Sequence, residues 1–148
     1  MTLAETMTGA IAQTIPIAHK MGIKVVEAGR GRAATTAPFE GNGNHFGVIY
    51  AGVLFTVAEI LGGVIPLATF DTSKYFPLVK NIDISFVGMA RSDLRAEATM
   101  DDDEIVRVAA EADEKGKADF TLDAVVKDAD GQVVATTHGL YQLRTHGR

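Results

Sequence analysis

A chain of 148 residues, 47% apolar and 22% charged, is long enough to bury one core, short for two, and neither disordered nor low-complexity by composition. A net charge of −5 argues against a broad nucleic-acid surface, because Arg30/Arg32 and Lys115/Lys117 are too small as basic clusters to offset phosphates. The absence of cysteine excludes disulfides, thiolate metal sites and cysteine nucleophiles. No basic n-region precedes an apolar stretch at the N-terminus, so a single cytoplasmic domain over residues 1–148 is expected.

In chain order, Leu3, Met7, Ala10, Ile11 and Thr14 stand at helical spacing and predict a short helix that Pro16 stops. Ile23 to Phe39 alternates, with Gly29 and Gly31 interrupting, and predicts one long bent strand or two with a bulge. Gly41-Asn42-Gly43-Asn44 is a turn. From Phe46 to Phe70 there are 25 residues with one formal charge, Glu59, a run that hydropathy alone would flag as a membrane span. Its length and lack of alternation predict a helix, and Gly62, Gly63 and Pro66 predict that it ends or bends there.

Ile82, Ile84 and Phe86 share one face of a strand over Lys80 to Phe86, and Asp93 to Met100 reads as the next. Asp101 to Glu104 supplies an N-cap and acidic first turn, Ile105, Val108, Ala109 and Ala112 follow at helical spacing, and Gly116 offers a C-cap. Phe120, Leu122, Ala124 and Val126 line one face of a further strand; Asp128 to Gly131 is a hairpin turn, and Gln132 to Leu143 returns. The tail from Thr145 is predicted to be disordered. The sum is an α+β layout in which a mostly antiparallel sheet wraps around a central apolar helix. A helix apolar nearly all round suits the core of such a sheet, so no membrane is needed to explain the run.

On a wheel of about 100° per residue, Gly52, Thr56, Glu59 and Gly63 form one stripe, and Leu54, Val57, Leu61 and Val64 occupy the opposite side. Small residues around the helix's single carboxylate leave room for a ligand or another backbone. A carboxylate in apolar surroundings has its pKa pushed up toward general-base range unless a cation is near. The alternative is a structural Glu paired with arginine or backbone across a subunit interface. Upstream, Asn44, Gly47 and Gly52 bracket the helix start, where free N–H groups favour an anion or oxyanion. Ordinary turn chemistry explains Asn44 equally well. His45 stands beside it, exposed or lining the same entrance. His19, His138 and His146 lack metal-ligand spacing, so no metal and no cofactor are assigned. Ser73, Ser85 and Ser92 lack a nucleophile-elbow context.

The segment Asn44 to Glu59 resembles the signature of hot-dog fold acyl-CoA thioesterases of the phenylacetate-degradation type, in which Asn is followed six residues later by His-Gly-Gly and then by an Asp nine residues after the His. The spacing is kept without a gap, with Tyr50 for His, Ala51 for the first Gly, Gly52 for the second and Glu59 for Asp. The resemblance implies a hot-dog fold and an acyl-CoA substrate. Glu59 would be base or nucleophile, the Ala51 amide the oxyanion donor, and Asn44 an orienting group. It further implies a homodimer or dimer of dimers in which Asn44 and Glu59 meet between subunits. His45, Tyr50, Gly52 and Thr56 would line the substrate, and Lys80, Arg91 or Arg95 would receive coenzyme A phosphates. The competing expectations are a non-catalytic acyl-CoA or lipid-binding module, which the Tyr50-Ala51 pair favours, and a hydratase or dehydratase, for which no spaced Asp/His pair is present.

Overall fold

The structure, a computed structural model, describes residues 1–147. Helix α1 (Leu3–Thr14) starts from a capping box in which Thr2 and Glu5 satisfy each other's backbone N–H groups, and it buries Met7 and Ile11. Pro16 ends it as expected, but by opening a second short helix, α2 (Pro16–Lys20), in whose first position a missing N–H costs nothing. The alternating stretch then resolves into two strands, β1 (Lys24–Gly29) and β2 (Arg32–Ala37), joined by a hairpin rather than a bulge. Gly31 makes that reversal possible: its φ of +72° is a left-handed conformation that side chains rarely adopt. A bulge does occur, earlier, between Val25 and Glu27. There the Thr8 hydroxyl accepts from the Val25 N–H at 2.9 Å and ties α1 to β1.

The apolar run forms α3 (Ala51–Glu59) and α4 (Leu61–Thr69), separated only at Ile60, whose backbone stays right-handed helical. The helix therefore continues past Gly62, Gly63 and Pro66, where it was expected to end or bend. The fully buried Thr35 hydroxyl donates to the Val57 carbonyl at 2.6 Å just before the interruption, a side-chain intrusion of the kind that disturbs a helical ladder. Taken together, Ala51–Thr69 is long and apolar enough to cross a membrane, yet 56% of its most apolar window is buried inside the fold.

The covering is a six-stranded antiparallel sheet in the order β1-β2-β4-β5-β6-β3. Its remaining members are β3 (Tyr75–Phe86), β4 (Leu94–Thr99), β5 (Lys117–Lys127) and β6 (Val133–Thr145). Helix α5 (Asp102–Lys115) is inserted between β4 and β5, capped by Asp101, whose side chain accepts from the Glu104 N–H, and closed by Gly116. On β5 the inward set is Ala118, Phe120, Leu122, Ala124 and Val126, all buried, which is the expected alternation. Leu54, Val57, Leu61 and Val64 of the central helix meet the same core. Strand β3 pairs only with β6, so its other edge is open and tolerates Pro77. On this edge strand Ile82 and Ile84 are half-buried, whereas Phe86 is exposed. The tail does not begin at Thr145: that residue is buried at the end of β6, and His146 donates its N–H to the Lys74 carbonyl.

Candidate active site

The loop before α3 is held by its asparagines. Asn42, buried, donates through Nδ2 to the carbonyls of Met21 and Pro38 at 2.7 and 2.8 Å. Asn44 is half-buried; its Oδ1 accepts from the Phe46 N–H at 2.9 Å, and its own N–H donates to the Val48 carbonyl at 2.7 Å. The Asn44 carbonyl oxygen is thus engaged in turn geometry, leaving Nδ2 as the part able to meet a ligand. His45 is exposed and packs against Phe46 with ring centroids 4.0 Å apart.

At the head of α3, Tyr50 is the N-cap without a side-chain cap bond, and the Val53 N–H reaches back to the Tyr50 carbonyl at 2.9 Å. The N–H groups of Ala51 and Gly52 precede that first bond and have no acceptor among the described residues. Gly52 is half-buried, and the Tyr50 ring lies over it: a Cβ there would stand 2.5 Å from the Tyr50 Cε2. Thr56 is half-buried, with its hydroxyl donating to the Gly52 carbonyl at 2.7 Å.

Glu59 is half-buried and makes no hydrogen bond or ion pair with any described residue. Burial holds its carboxyl above the ordinary value of 4.5. It opens onto a cleft of about 260 Å³ lined by Gly62, Gly63, Pro77, Leu78, Val79 and Tyr141. Asn44, Ala51 and the rest of the helix head lie outside that lining. Lys80, next in the chain to Val79, also points elsewhere: its Nζ pairs with Asp119 at 2.9 Å, in a separate cleft that includes Lys115 and Lys117. That pairing, with Gln142 second, holds the Asp119 carboxyl below its ordinary range. Arg95 is likewise engaged, with Glu27 and Glu97, and Arg91 lies against the Met89 sulfur. One chain therefore gathers two separate groups: Glu59 in its cleft, and Asn44, His45, Tyr50, Ala51, Gly52 and Thr56 around the loop and first turns of α3.

Tyr141 is the residue of the cleft that sequence reasoning missed. It occupies an inward position of β6, 4% exposed, and its ring stacks on Phe120 at 5.6 Å. Burial, and then the nearby charge of Glu59, push its phenol up to about 12. An available signal was Gly139, two residues earlier on the same face: a glycine inside a strand marks a close approach.

The fold is that of a hot-dog protein of the thioesterase-like class. Residues 3–141 match the family described as Domain of unknown function (DUF4442), and the chain belongs to that family. No curated protein matches it. Among solved structures it is similar to a Pseudomonas aeruginosa protein of unknown function named a probable thioesterase, at 38% identity and a TM-score of 0.89, covering 97% of this chain and 95% of the other. A Chlorobaculum tepidum protein of unknown function follows at 17% identity and a TM-score of 0.83, covering 96% and 94%. A Haemophilus influenzae thioesterase stands at 13% and 0.77, covering 100% and 96%. At those two identities the likeness is one of fold.

Proposed function

We propose that the protein is an acyl-CoA thioesterase, hydrolysing a thioester to a free acid and coenzyme A. The observation that carries this reading is the lone carboxylate of Glu59, half-buried, unpaired and facing a cleft, in a chain 38% identical to a probable thioesterase. Glu59 takes a proton from water, the water oxygen bonds to the thioester carbonyl carbon, and the resulting oxyanion is received by the free Ala51 N–H. Collapse breaks the C–S bond. A thiol with a pKa of about 8.5 leaves as thiolate with little acid help, and the proton on Glu59 then passes to it.

One helix cannot supply both groups to one carbonyl. Ala51 and Glu59 are eight residues apart, about 12 Å along the axis at 1.5 Å per residue. The reading therefore requires a homodimer, or a dimer of dimers, in which Glu59 of one protomer faces the helix head of its partner. Asn44 Nδ2 then orients the water or carbonyl, and His45, Tyr50, Gly52 and Thr56 border the substrate. Lys80 is the proposed phosphate contact and must exchange its Asp119 partner to serve as one.

The test is release of free coenzyme A from short, medium, long and aryl acyl-CoA, read with a thiol reagent against a cysteine-free protein. Glu59→Gln is expected to lower turnover at least about a hundredfold with the fold kept. Because the Glu59 carboxyl is raised, the acid limb of the pH profile should lie above the ordinary Glu value of 4.5. One observation favours a second reading, a non-catalytic acyl-CoA or lipid-binding module: the Tyr50 ring covers Gly52, beside one of the two free amides. That reading expects a melting temperature raised by acyl-CoA and no thiol release.

A further inference from the structure

The Tyr141 ring is buried, and its hydroxyl, on the lining of the cleft, has no acceptor among the described residues. Its ring is fixed on several sides. Gly62 of α4 offers no side chain, and a Cβ there would overlap the ring; a Cβ on Gly139 would stand 2.7 Å from Oη; Phe120 stacks on the ring with planes 20° apart. At 4% exposure, the residue makes no hydrogen bond among the described residues. Phenylalanine would fill the space of the ring equally well. Packing alone therefore gives no reason for the oxygen. The cleft does. Its lining from α3, α4, β3 and β6 contains two titratable groups, Glu59 and Tyr141, and the other five residues are glycine, proline, leucine and valine. One acceptor and one donor thus share an apolar space of about 260 Å³, roomy for water at about 30 Å³ each.

We propose that the Tyr141 hydroxyl and the Glu59 carboxylate share one water, and that Tyr141 positions it for attack. The hydrolytic use of that water rests on the thioesterase reading above. Tyr141 donates to one lone pair of the water and Glu59 accepts one of its protons, which leaves the second lone pair directed at the thioester carbonyl carbon. When the O–C bond forms, the proton moves to Glu59 and the Tyr141 proton stays where it is. With its phenol pushed up to about 12, Tyr141 remains a neutral donor throughout the working range. Gly62 and Gly139 are explained by the same arrangement, because a side chain at either would displace the ring.

The test is Tyr141→Phe, which keeps the ring and removes the oxygen. Expected are a fall in kcat of about tenfold with KM little changed, an acid limb moved to higher pH as Glu59 loses a dipole that favours its charged form, and a melting temperature unchanged or raised. Wild-type kcat and acid limb in the variant would overturn the proposal while leaving the hydrolase intact, as would a lowered melting temperature with an unmoved acid limb. If wild type releases no coenzyme A from any acyl-CoA, the thioesterase reading falls, and the shared water is judged without turnover. The Glu59 carboxyl is then titrated by carbon-13 NMR in both proteins. A higher midpoint in Tyr141→Phe supports the pair, and equal midpoints overturn it.

Discussion

The two faces of the central helix obey different rules. Toward the sheet, Leu54, Val57, Leu61 and Val64 are all buried, and their places follow from removing apolar surface from water. The opposite stripe holds Gly52, Thr56, Glu59 and Gly63, all half-buried, of which Glu59 and Gly63 line the cleft, and the Glu59 carboxylate has no partner among the described residues. Burying polar groups without partners lowers stability, so nothing in folding calls for this second face. The contrast separates what the helix contributes to the core from what it leaves outside the core, and each variant below bears on one side of it.

The largest effect belongs to the inward face. Leu61, 1% exposed, should lose about 2–5 kcal/mol on substitution Leu61→Ala, measured by urea unfolding, because the sheet around it collapses only partly into the cavity. A smaller loss would mean that this face is less tightly packed than the cleft face, and the contrast would weaken. Gly62→Ala sits between the faces. Its Cβ meets the Tyr141 ring, so the ring or the helix must shift, at a cost of about 1–3 kcal/mol. The chain has no tryptophan, so a change in the near-ultraviolet circular dichroism of its tyrosines would report the displaced ring. Next comes Thr35→Val, isosteric and fully buried, which removes the hydroxyl bond to Val57 and should cost about 1 kcal/mol in the same unfolding assay. An unchanged midpoint there would mean that the Thr35–Val57 bond adds nothing to the inward face.

Much of this division was legible in the amino-acid order. Positions 52, 56, 59 and 63 fall on one helical stripe whatever surrounds them, and strict alternation from Phe120 to Val126 places those side chains on one face. What periodicity does not encode is contact between distant segments. The helix runs on through Gly62, Gly63 and Pro66 because the surrounding core holds it there, overriding propensities that predict a stop. Gly29 and Gly31 mark an interruption in the sequence, yet both flanks alternate, and alternation alone does not separate one bent strand from the hairpin that the left-handed Gly31 makes. Thr145 and His146 are ordered by partners at Gly116 and Lys74, far away in sequence. Tyr141 looks like any inward strand residue until the helix glycine that receives its ring is known. The candidate site was therefore legible where one helix carries it and hidden where β6 completes it.

The smallest expected effect is also the sharpest test of the cleft face. Burial raises the Glu59 carboxyl above its unfolded value, so between those two values the native protein binds more protons than the unfolded chain. Stability attributable to Glu59 is then greatest at low pH and declines as pH rises from the ordinary Glu value through the raised native one. Glu59→Gln does not titrate. It should gain on wild type across that window and hold the advantage above it, modestly, because the carboxylate is only half-buried. Unfolding midpoints at steps from about pH 4 to 8 measure the difference. A glutamine variant less stable than wild type at neutral pH would mean that the carboxylate is paired in solution, as in the structural alternative across a subunit interface. A variant that is more stable and inactive would place Glu59 among residues retained for chemistry at a cost to folding, the opposite of every side chain on the inward face.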